Sequence, residues 1–177
     1  AEFERLFKAG FATEFANWKE MSQALGPVVI SKIAAIVKTK DDGTIKTRLI
    51  VDMLRSMVNA FVKLEERIVL PRIPDAVGAI LDLLAASGPT SEEEVDLMVL
   101  DFADAFHTLG VHPDERPFQV FALPGGGFGV YETAVFGGGG SPLTWGRAAA
   151  FLGRSGQALF DDDRARIEVY VDDPWAC

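Results

Sequence analysis

The spacing of apolar residues in the first third of the chain predicts one helix followed by a hairpin. Between Phe11 and Leu25, apolar side chains recur at intervals of three and four, the period of an amphipathic helix that ends at Gly26-Pro27. Lys32 to Lys38 and Ile45 to Val51 are rich in β-prone residues and are joined through an Asp42-Gly43 step, which favours a tight turn. We therefore expect a hairpin whose strands carry several lysines.

The middle of the chain is punctuated by prolines. Residues 54–70 are predicted to begin as a helix, and Pro71 and Pro74 interrupt the chain after them. A second helix is predicted from Asp75 to Gly88. Ser91-Glu92-Glu93-Glu94 resembles a capping box, but Val95 to Phe102 is apolar and β-prone, which predicts a short turn and then a buried strand.

The last part of the chain combines a second hairpin, a glycine bend and a helix. Two apolar runs between Pro117 and Val135 flank a Pro-Gly-Gly-Gly turn, which predicts the hairpin. Gly137 to Gly140 predict a bend, Leu143 to Phe160 have helical spacing, and Ile167 to Val171 predict a strand that runs into Asp172-Asp173. Helices and strands interleave without regular βαβ order, which indicates an α+β fold.

Composition places the chain among globular proteins. At 177 residues and 49% hydrophobic content, it is long enough for one domain or two subdomains. No apolar stretch approaches the roughly 20 residues of a membrane helix, and no signal-peptide layout opens the chain, so we expect no membrane association and an intracellular location, cytoplasmic or nuclear. The only cysteine, Cys177, excludes an internal disulfide. Because the chain opens on Ala1 rather than Met, we expect a fragment of a longer protein.

Charge is distributed unevenly along the chain. The net charge of −9 taken alone disfavours nucleic-acid binding, because phosphate contacts need clustered Lys and Arg. Residues 1–75 hold 12 basic and 10 acidic side chains, whereas residues 76–177 hold 5 basic and 16 acidic ones. We expect the acidic half to attract divalent cations, and to repel phosphate unless such cations intervene.

Two acidic segments at predicted strand ends carry the strongest chemical signal. The first is Leu100 to Phe106, which contains Asp101 and Asp104, and the second is Tyr170 to Asp173. Carboxylates from different strands can hold two Mg²⁺ or Mn²⁺ ions about 3.5–4 Å apart, which activates a hydroxyl nucleophile and stabilises a leaving phosphate. The alternative for each Asp taken singly is a turn cap or a solvent-facing side chain.

Four segments, in order, resemble the motifs of reverse transcriptases from retroelements, and of retrotransposons in particular. They are Arg48 to Asp52 for the fingers strand after a basic hairpin, Leu100 to Phe106 for the first catalytic motif, Phe136-Gly137 with Ser141-Pro142-Leu143 for the second, and Tyr170 to Asp173 for the YxDD box. The resemblance covers residues 30–177. An aromatic residue such as Phe136 at its position is found in many retrotransposon enzymes, whereas retroviral enzymes have glutamine there.

The resemblance implies a set of catalytic residues. Asp101 and Asp172 would bind the two metal ions, with Asp173 as the companion carboxylate. The 3′-hydroxyl of a primer would attack the α-phosphate of a deoxynucleoside triphosphate, and pyrophosphate would leave. The implied activity is therefore RNA-directed DNA polymerisation, with an RNA or DNA template and its primer as partners.

The resemblance also implies a set of nucleotide-binding residues. They are Arg48, one of Lys38 and Lys40, Asp104, Ala105, Phe106 and Gly137. Arg48 would bind the β- and γ-phosphates, because a guanidinium group is planar and always charged. Phe106 would act as a steric gate beneath the sugar that excludes a ribose 2′-hydroxyl. The glycine bend would let the backbone approach the nucleotide, which a β-carbon would obstruct.

The implied fold is a polymerase palm, a ferredoxin-like antiparallel sheet with helices on one face, plus a fingers subdomain, truncated after the YxDD hairpin turn. We assign residues 1–90 to an N-terminal helix and the fingers, 91–108 to the palm with the first motif, 109–136 to a fingers/palm hairpin and 137–177 to the palm. Thumb and ribonuclease H regions of the same polyprotein would follow. This piece alone is thus expected to bind primer-template weakly and to polymerise little.

Two other functions fit the sequence less well. A catalytically inactive retroelement relic could keep the palm fold as a module that binds nucleic acid or protein, but Asp101, Asp172 and Asp173 are all intact. A nucleotide cyclase would share the palm architecture. The glycine-led acidic turn of the enzymes that make cyclic dinucleotides is not seen in this sequence.

Overall fold

Two compact units make up the chain in the computed structural model, which describes residues 2–88 and 94–177. The first unit is formed by Ala1–Leu64 and Phe106–Ser141, and the second by Glu65–Ala105 and Pro142–Cys177. Each unit is therefore assembled from two separate stretches of chain. The assignment of the fingers and the palm to particular ranges stays a prediction.

The regular elements follow one another irregularly along the chain. In chain order they are α1 (Glu2–Lys8), β1 (Ala12–Phe15), α2 (Trp18–Leu25), β2 (Ile30–Thr39), β3 (Ile45–Asp52), α3 (Val58–Phe61), α4 (Ile73–Ser87), β4 (Met98–Val99), β5 (Val120–Ala122), β6 (Phe128–Tyr131), α5 (Ser141–Gln157), β7 (Ile167–Tyr170) and β8 (Asp173–Ala176). Two short 3₁₀ helices, Ala105–Thr108 and Pro113–Phe118, lie between β4 and β5.

A five-stranded sheet of order β1-β6-β5-β2-β3 forms the first unit. All neighbouring strands are antiparallel except β2 and β5, which pair in parallel. The long β2–β3 hairpin confirms the predicted basic hairpin. In its turn the carboxylate of Asp42 accepts hydrogen bonds from the Thr44 hydroxyl and backbone N–H, which lowers the pKa of Asp42. Gly43, at φ 80°, supplies the left-handed residue that the turn needs.

The main hydrophobic core of the first unit lies on one face of this sheet. Its buried members are Leu6, Ala12, Leu49, Val51, Met53, Phe121, Tyr131 and Val135. Phe121 packs so closely over Gly129 that a β-carbon there would stand 2.2 Å from the Phe121 ring. Burial raises the pKa of the Tyr131 hydroxyl, so this side chain stays neutral in the core.

A three-stranded antiparallel sheet of order β4-β8-β7 forms the second unit together with helices α4 and α5. Small residues let α5 approach β7 closely: a β-carbon on Gly153 would stand 2.8 Å from the side chain of Val169, and one on Gly156 would stand 3.3 Å from Ile167. Trp145 and Ala149, on the same helix, are buried. The close approach of α5 thus fixes the strand that leads into the acidic turn.

The helix predicted between Phe11 and Leu25 is wrong in its first half. Residues Ala12–Phe15 form β1, which pairs with β6, and the helix begins only at Trp18. The side chain of Asn17 accepts a hydrogen bond from the Glu20 N–H and so caps the helix at that point. Cross-strand pairing and this cap outweigh the helical spacing of the apolar residues.

Two further predictions need correction. Of residues 54–70, only Val58–Phe61 are helical, and the left-handed backbone of Met57, with φ 65°, interrupts the chain directly before them. The strand predicted from Val95 to Phe102 is short and exposed rather than buried: it covers Met98–Val99, and Val99 is 63% exposed. The capping box predicted at Ser91 to Glu94 lies, except for Glu94, outside the described residues.

The remaining elements match the sequence predictions. Helix α4 ends at Gly88, helix α5 covers most of the range from Leu143 to Phe160, and β5 and β6 form the second hairpin. The mixed α+β class is confirmed. Within the described part of the chain, no helix combines the length and the apolar character needed to cross a membrane.

Candidate functional site

The two acidic segments lie on neighbouring strands of the second unit. The Leu100 N–H donates to the Pro174 carbonyl at 2.8 Å, and the Phe102 N–H donates to the Asp172 carbonyl at 2.9 Å. Asp101 lies between these two donors in the chain, so its strand runs directly beside the acidic turn. The structure therefore brings together the two segments that the sequence analysis singled out.

The second acidic segment forms the turn of the β7–β8 hairpin. Tyr170 pairs with Asp173, which leaves Val171 and Asp172 as the two central residues of the turn. Val171 has φ 57°, a left-handed conformation in which β-branched residues are strained. The indole N–H of Trp145 donates to the Val171 carbonyl at 2.8 Å. The turn is thus held from α5 as well as from its own strands.

The carboxylates of the two acidic segments are oxygen donors of the chemical kind that binds Mg²⁺. Asp101 and Asp173 are exposed and Asp172 is half-buried, and carboxylate oxygens are the ligands that Mg²⁺ prefers. Among residues 2–88 and 94–177, however, no three Asp, Glu, His or Cys side chains form a group that could hold a metal ion.

In the first unit, two predicted nucleotide-binding residues, Arg48 and Phe106, contact the ring of Phe136. The Arg48 guanidinium carbon stands 5.8 Å from the Phe136 ring centroid, within the range of a cation–π contact. The ring of Phe106 packs against the same Phe136 ring, with 4.9 Å between the two centroids. A positive charge and an aromatic ring, from two separate stretches of sequence, thus both contact Phe136.

The glycine bend is seated against the end of β3. Gly137 has φ 107°, and a β-carbon there would stand 1.9 Å from the Val51 carbonyl oxygen. Asn59 holds the bend from the other side, because its side-chain amide donates to the Gly137 carbonyl and accepts from the Gly139 N–H, both at 2.8 Å. Only glycine fits at position 137, where the conformation and the close approach both exclude a side chain.

One face of the β2–β3 hairpin is basic. Lys38 pairs directly with Lys46, and Arg48, opposite Ile36, follows Lys46 on the same face because residues two apart on a strand point the same way. All three cations are exposed, and none forms an ion pair among the residues that the structure describes. Lys40 lies beyond the paired strand residues, in the turn, where its N–H donates to the Thr44 carbonyl.

Two predicted nucleotide-binding residues, Asp104 and Ala105, lie in the second half of the first acidic segment. Asp104 is exposed and has a left-handed backbone with φ 52°. Ala105, which begins the first 3₁₀ helix, is buried. Both belong to the second unit with the three catalytic candidates, whereas Arg48, Lys38, Lys40, Phe106 and Gly137 belong to the first. The predicted residues therefore form two sets, one in each unit.

Sequence reasoning missed two residues of these sites. Lys46 could have been found, because the Asp-Gly turn fixes the hairpin register and so places Lys46 on the face of Arg48. Trp145 could not, because nothing in the sequence indicates that its indole N–H reaches the acidic turn. Its apolar neighbours in the chain suggest only a buried helix face.

The fold is similar to the fingers and palm of solved reverse transcriptases. A foamy viral protease-reverse transcriptase in complex with double-stranded DNA is similar to 96% of this chain at 19% identity, with a TM-score of 0.63. The native protease-reverse transcriptase of prototype foamy virus is similar to 98% of the chain at 18% identity, with a TM-score of 0.60. This chain spans 24% and 18% of the length of those two proteins. No protein-family model and no curated protein sequence matches it.

Proposed function

We propose that this chain is the fingers and palm part of an RNA-directed DNA polymerase of a retrotransposon. The observation that carries the proposal is the hydrogen bond from the Phe102 N–H to the Asp172 carbonyl, which sets the two acidic segments side by side in a reverse transcriptase-like fold. The reaction is addition of a deoxynucleotide to the 3′-hydroxyl of a primer, with release of pyrophosphate.

Asp101, Asp172 and Asp173 would hold two Mg²⁺ or Mn²⁺ ions, which lower the pKa of the attacking hydroxyl and neutralise charge on the phosphates. The carboxylates do not form a three-ligand group by themselves in the described residues, so metal binding should depend on the oxygens of the bound triphosphate. Exposed Asp101 and Asp173 leave room for those oxygens. We therefore expect metal and nucleotide to bind cooperatively.

The first unit supplies recognition of the nucleotide. Arg48 binds phosphate oxygens through its planar guanidinium group, assisted by Lys38 from the same hairpin face. Phe106 packs on Phe136, which supports its ring, and we expect this ring to act as a barrier to a ribose 2′-hydroxyl. The close seat of Gly137 on β3 keeps the backbone free of side chains at this point.

The nucleic-acid partner is a primed RNA or DNA template. One of the similar structures is described as a complex with double-stranded DNA, which supports this assignment for the present chain. Since the chain spans at most 24% of the length of those proteins, its grip on primer-template should be weak without further regions such as a thumb and ribonuclease H. The net charge of −9 agrees with that expectation.

The decisive experiment measures Mn²⁺ binding by electron paramagnetic resonance, with and without a deoxynucleoside triphosphate, and single-nucleotide primer extension at high protein concentration. Asp172→Asn and Asp101→Asn should abolish both signals. Asp163→Asn is the matched control, because Asp163 is an exposed carboxylate of the same unit and lies outside the acidic turn. Extension that survives Asp172→Asn would refute the assignment.

One observation favours a second function, a catalytically inactive relic that keeps the fold as a module for binding nucleic acid or protein. In the described residues the carboxylates are not gathered into a group of three. A folded protein that binds primer-template but shows no Mn²⁺ binding even with triphosphate present would establish this alternative. Mn²⁺ binding that depends on triphosphate and on Asp172 would exclude it.

A further inference from the structure

The acidic turn contains a residue that is poorly suited to its backbone. In a two-residue hairpin turn, a positive φ at the first central position is usually supplied by glycine. Here that position is Val171, with φ 57°, while Asp172 is not among the positive-φ residues of the described chain. A β-branched side chain is strained in this conformation. An interaction from outside the hairpin is therefore needed to keep the turn in one conformation.

Trp145 supplies such an interaction. Its side chain is only 2% exposed, and its indole N–H donates to the carbonyl of Val171 at 2.8 Å. The same ring meets the ring of Phe102 edge-on, with 5.2 Å between centroids. The Phe102 N–H in turn donates to the carbonyl of Asp172. Trp145, Phe102 and the two turn residues thus form a closed circuit of contacts within the second unit.

This circuit connects the two backbone segments that carry Asp101 and Asp172, two of the three catalytic candidates. Asp101 directly precedes Phe102, and Asp172 directly follows Val171. Contact with Trp145 on each side therefore limits how far the two acidic segments can move apart. A phenylalanine at position 145 would keep an aromatic ring against Phe102 but could not donate a hydrogen bond to the turn.

We propose that Trp145 is a positioning residue for the metal-binding carboxylates: its indole N–H holds Val171 in the strained conformation and so keeps Asp172 beside the strand of Asp101. The significance for catalysis rests on the proposed polymerase function. The role in holding the turn does not depend on that function, because it follows from the hydrogen bonds and from the conformation of Val171.

The test compares Trp145→Phe with the unaltered 177-residue protein. Loss of one hydrogen bond should speed amide hydrogen exchange at Phe102 and in the turn by about three- to tenfold, and weaken Mn²⁺ binding in the presence of triphosphate by a similar factor. Trp18→Phe is the matched control, because Trp18 lies in the first unit and is 52% exposed. It should change neither measurement. If Trp145 only packs in the core, Trp145→Phe should lower the melting temperature and leave hydrogen exchange and Mn²⁺ binding unchanged.

A second variant tests the mechanism itself. Glycine adopts the left-handed conformation without strain, so Val171→Gly should make the turn less dependent on Trp145. In that background Trp145→Phe should speed exchange at Phe102 by a smaller factor than in the parent protein. Equal factors in both backgrounds, or no change at Phe102 in either, would overturn the proposal.

The failure of either proposal is recognisable from these measurements. Exchange that depends on Trp145 in a protein that binds no Mn²⁺ would refute the polymerase and leave the turn-holding role standing. If Trp145→Phe does not fold, Val171→Gly alone decides, because relief of strain should leave exchange at Phe102 equal or slower. Faster exchange in Val171→Gly would mean that the strained turn is not what Trp145 maintains.

Discussion

Lys38 and Lys46 lie directly opposite each other across the β2–β3 hairpin, with Arg48 next to Lys46 along the same face. Like charges in directly opposed positions destabilise a strand pair by about 0.2–1 kcal/mol. No carboxylate forms an ion pair with any of the three in the described part of the chain. An arrangement that weakens the hairpin is understandable if the face binds an anion such as a triphosphate.

Lys46→Ala should therefore raise the stability of the protein slightly and weaken nucleotide binding. We expect a gain in unfolding free energy of up to about 1 kcal/mol and a loss of deoxynucleotide affinity of about tenfold, since one charge-assisted hydrogen bond is removed.

Lys38→Ala should behave in the same way, and Lys40→Ala should have the smaller effect because Lys40 lies in the turn. Chemical denaturation and calorimetric titration measure the two quantities. The control is Lys63→Ala, because Lys63 is an exposed lysine of the same unit and lies outside the hairpin. An equal loss of nucleotide affinity in Lys63→Ala would contradict the prediction.

The four consecutive glycines should differ sharply in their tolerance of a side chain. Gly137→Ala places a methyl group 1.9 Å from the Val51 carbonyl oxygen at φ 107°, so we expect it to destabilise the protein by more than about 2 kcal/mol. At Gly140 a β-carbon would stand 3.8 Å from the side chain of Val62, which is an ordinary contact. Gly140→Ala should therefore change the free energy of unfolding by no more than about 0.5 kcal/mol. Thermal unfolding of the two variants compares them. Similar melting temperatures would show that the bend is not seated as described.

Phe106→Val should relax the discrimination between deoxyribonucleotides and ribonucleotides. The smaller side chain opens the space that the Phe106 ring fills beside Phe136. A change of pocket volume of this kind alters selectivity by about 10- to 200-fold. Primer extension with each nucleotide type measures it. Phe118→Val, a half-exposed phenylalanine of the same unit, is the control, and unaltered selectivity in Phe106→Val would exclude the steric-gate role.

The ion pair between Glu66 and Arg147 should respond to acid. Hydrogen bonds from the Arg147 guanidinium, at 2.8 and 3.2 Å, together with its charge, lower the pKa of Glu66 below the ordinary value of 4.5. The stabilisation is therefore present above that value and is lost as the pH falls through the lowered pKa. Both groups are exposed, so the expected change is local: faster hydrogen exchange in residues 65–70 once the pH falls below the lowered pKa of Glu66.

Substitution of Glu66 tests this assignment. Glu66→Gln should show fast exchange in residues 65–70 at every pH, whereas Glu65→Gln, which alters a neighbouring carboxylate, should keep the acid-dependent change. A transition that persists in Glu66→Gln would assign the effect to another group.

How far the sequence predicts this structure depends on how local each signal is. The β2–β3 hairpin was predictable because Asp42-Gly43 determines its turn within a few residues. The strand β1 was not, because its pairing with β6 joins Ala12 to Tyr131, far apart in the chain, and no local pattern encodes that partner. The acidic turn was predictable from its residue types. Its support by Trp145 depends on side-chain direction, which spacing alone does not reveal.

The assembly of each unit from two separate stretches affects how the chain can fold during synthesis. The sheet of the first unit is incomplete until β6 has emerged, since β1 has no other partner strand among the described residues. The second unit likewise waits for β7 and β8, which follow its other elements in the chain. Pairings between residues so distant in sequence form slowly, because the intervening loop must first be closed. The nascent chain therefore exposes unpaired strands until these later elements have been made, and its yield should depend on chaperones that hold such strands apart.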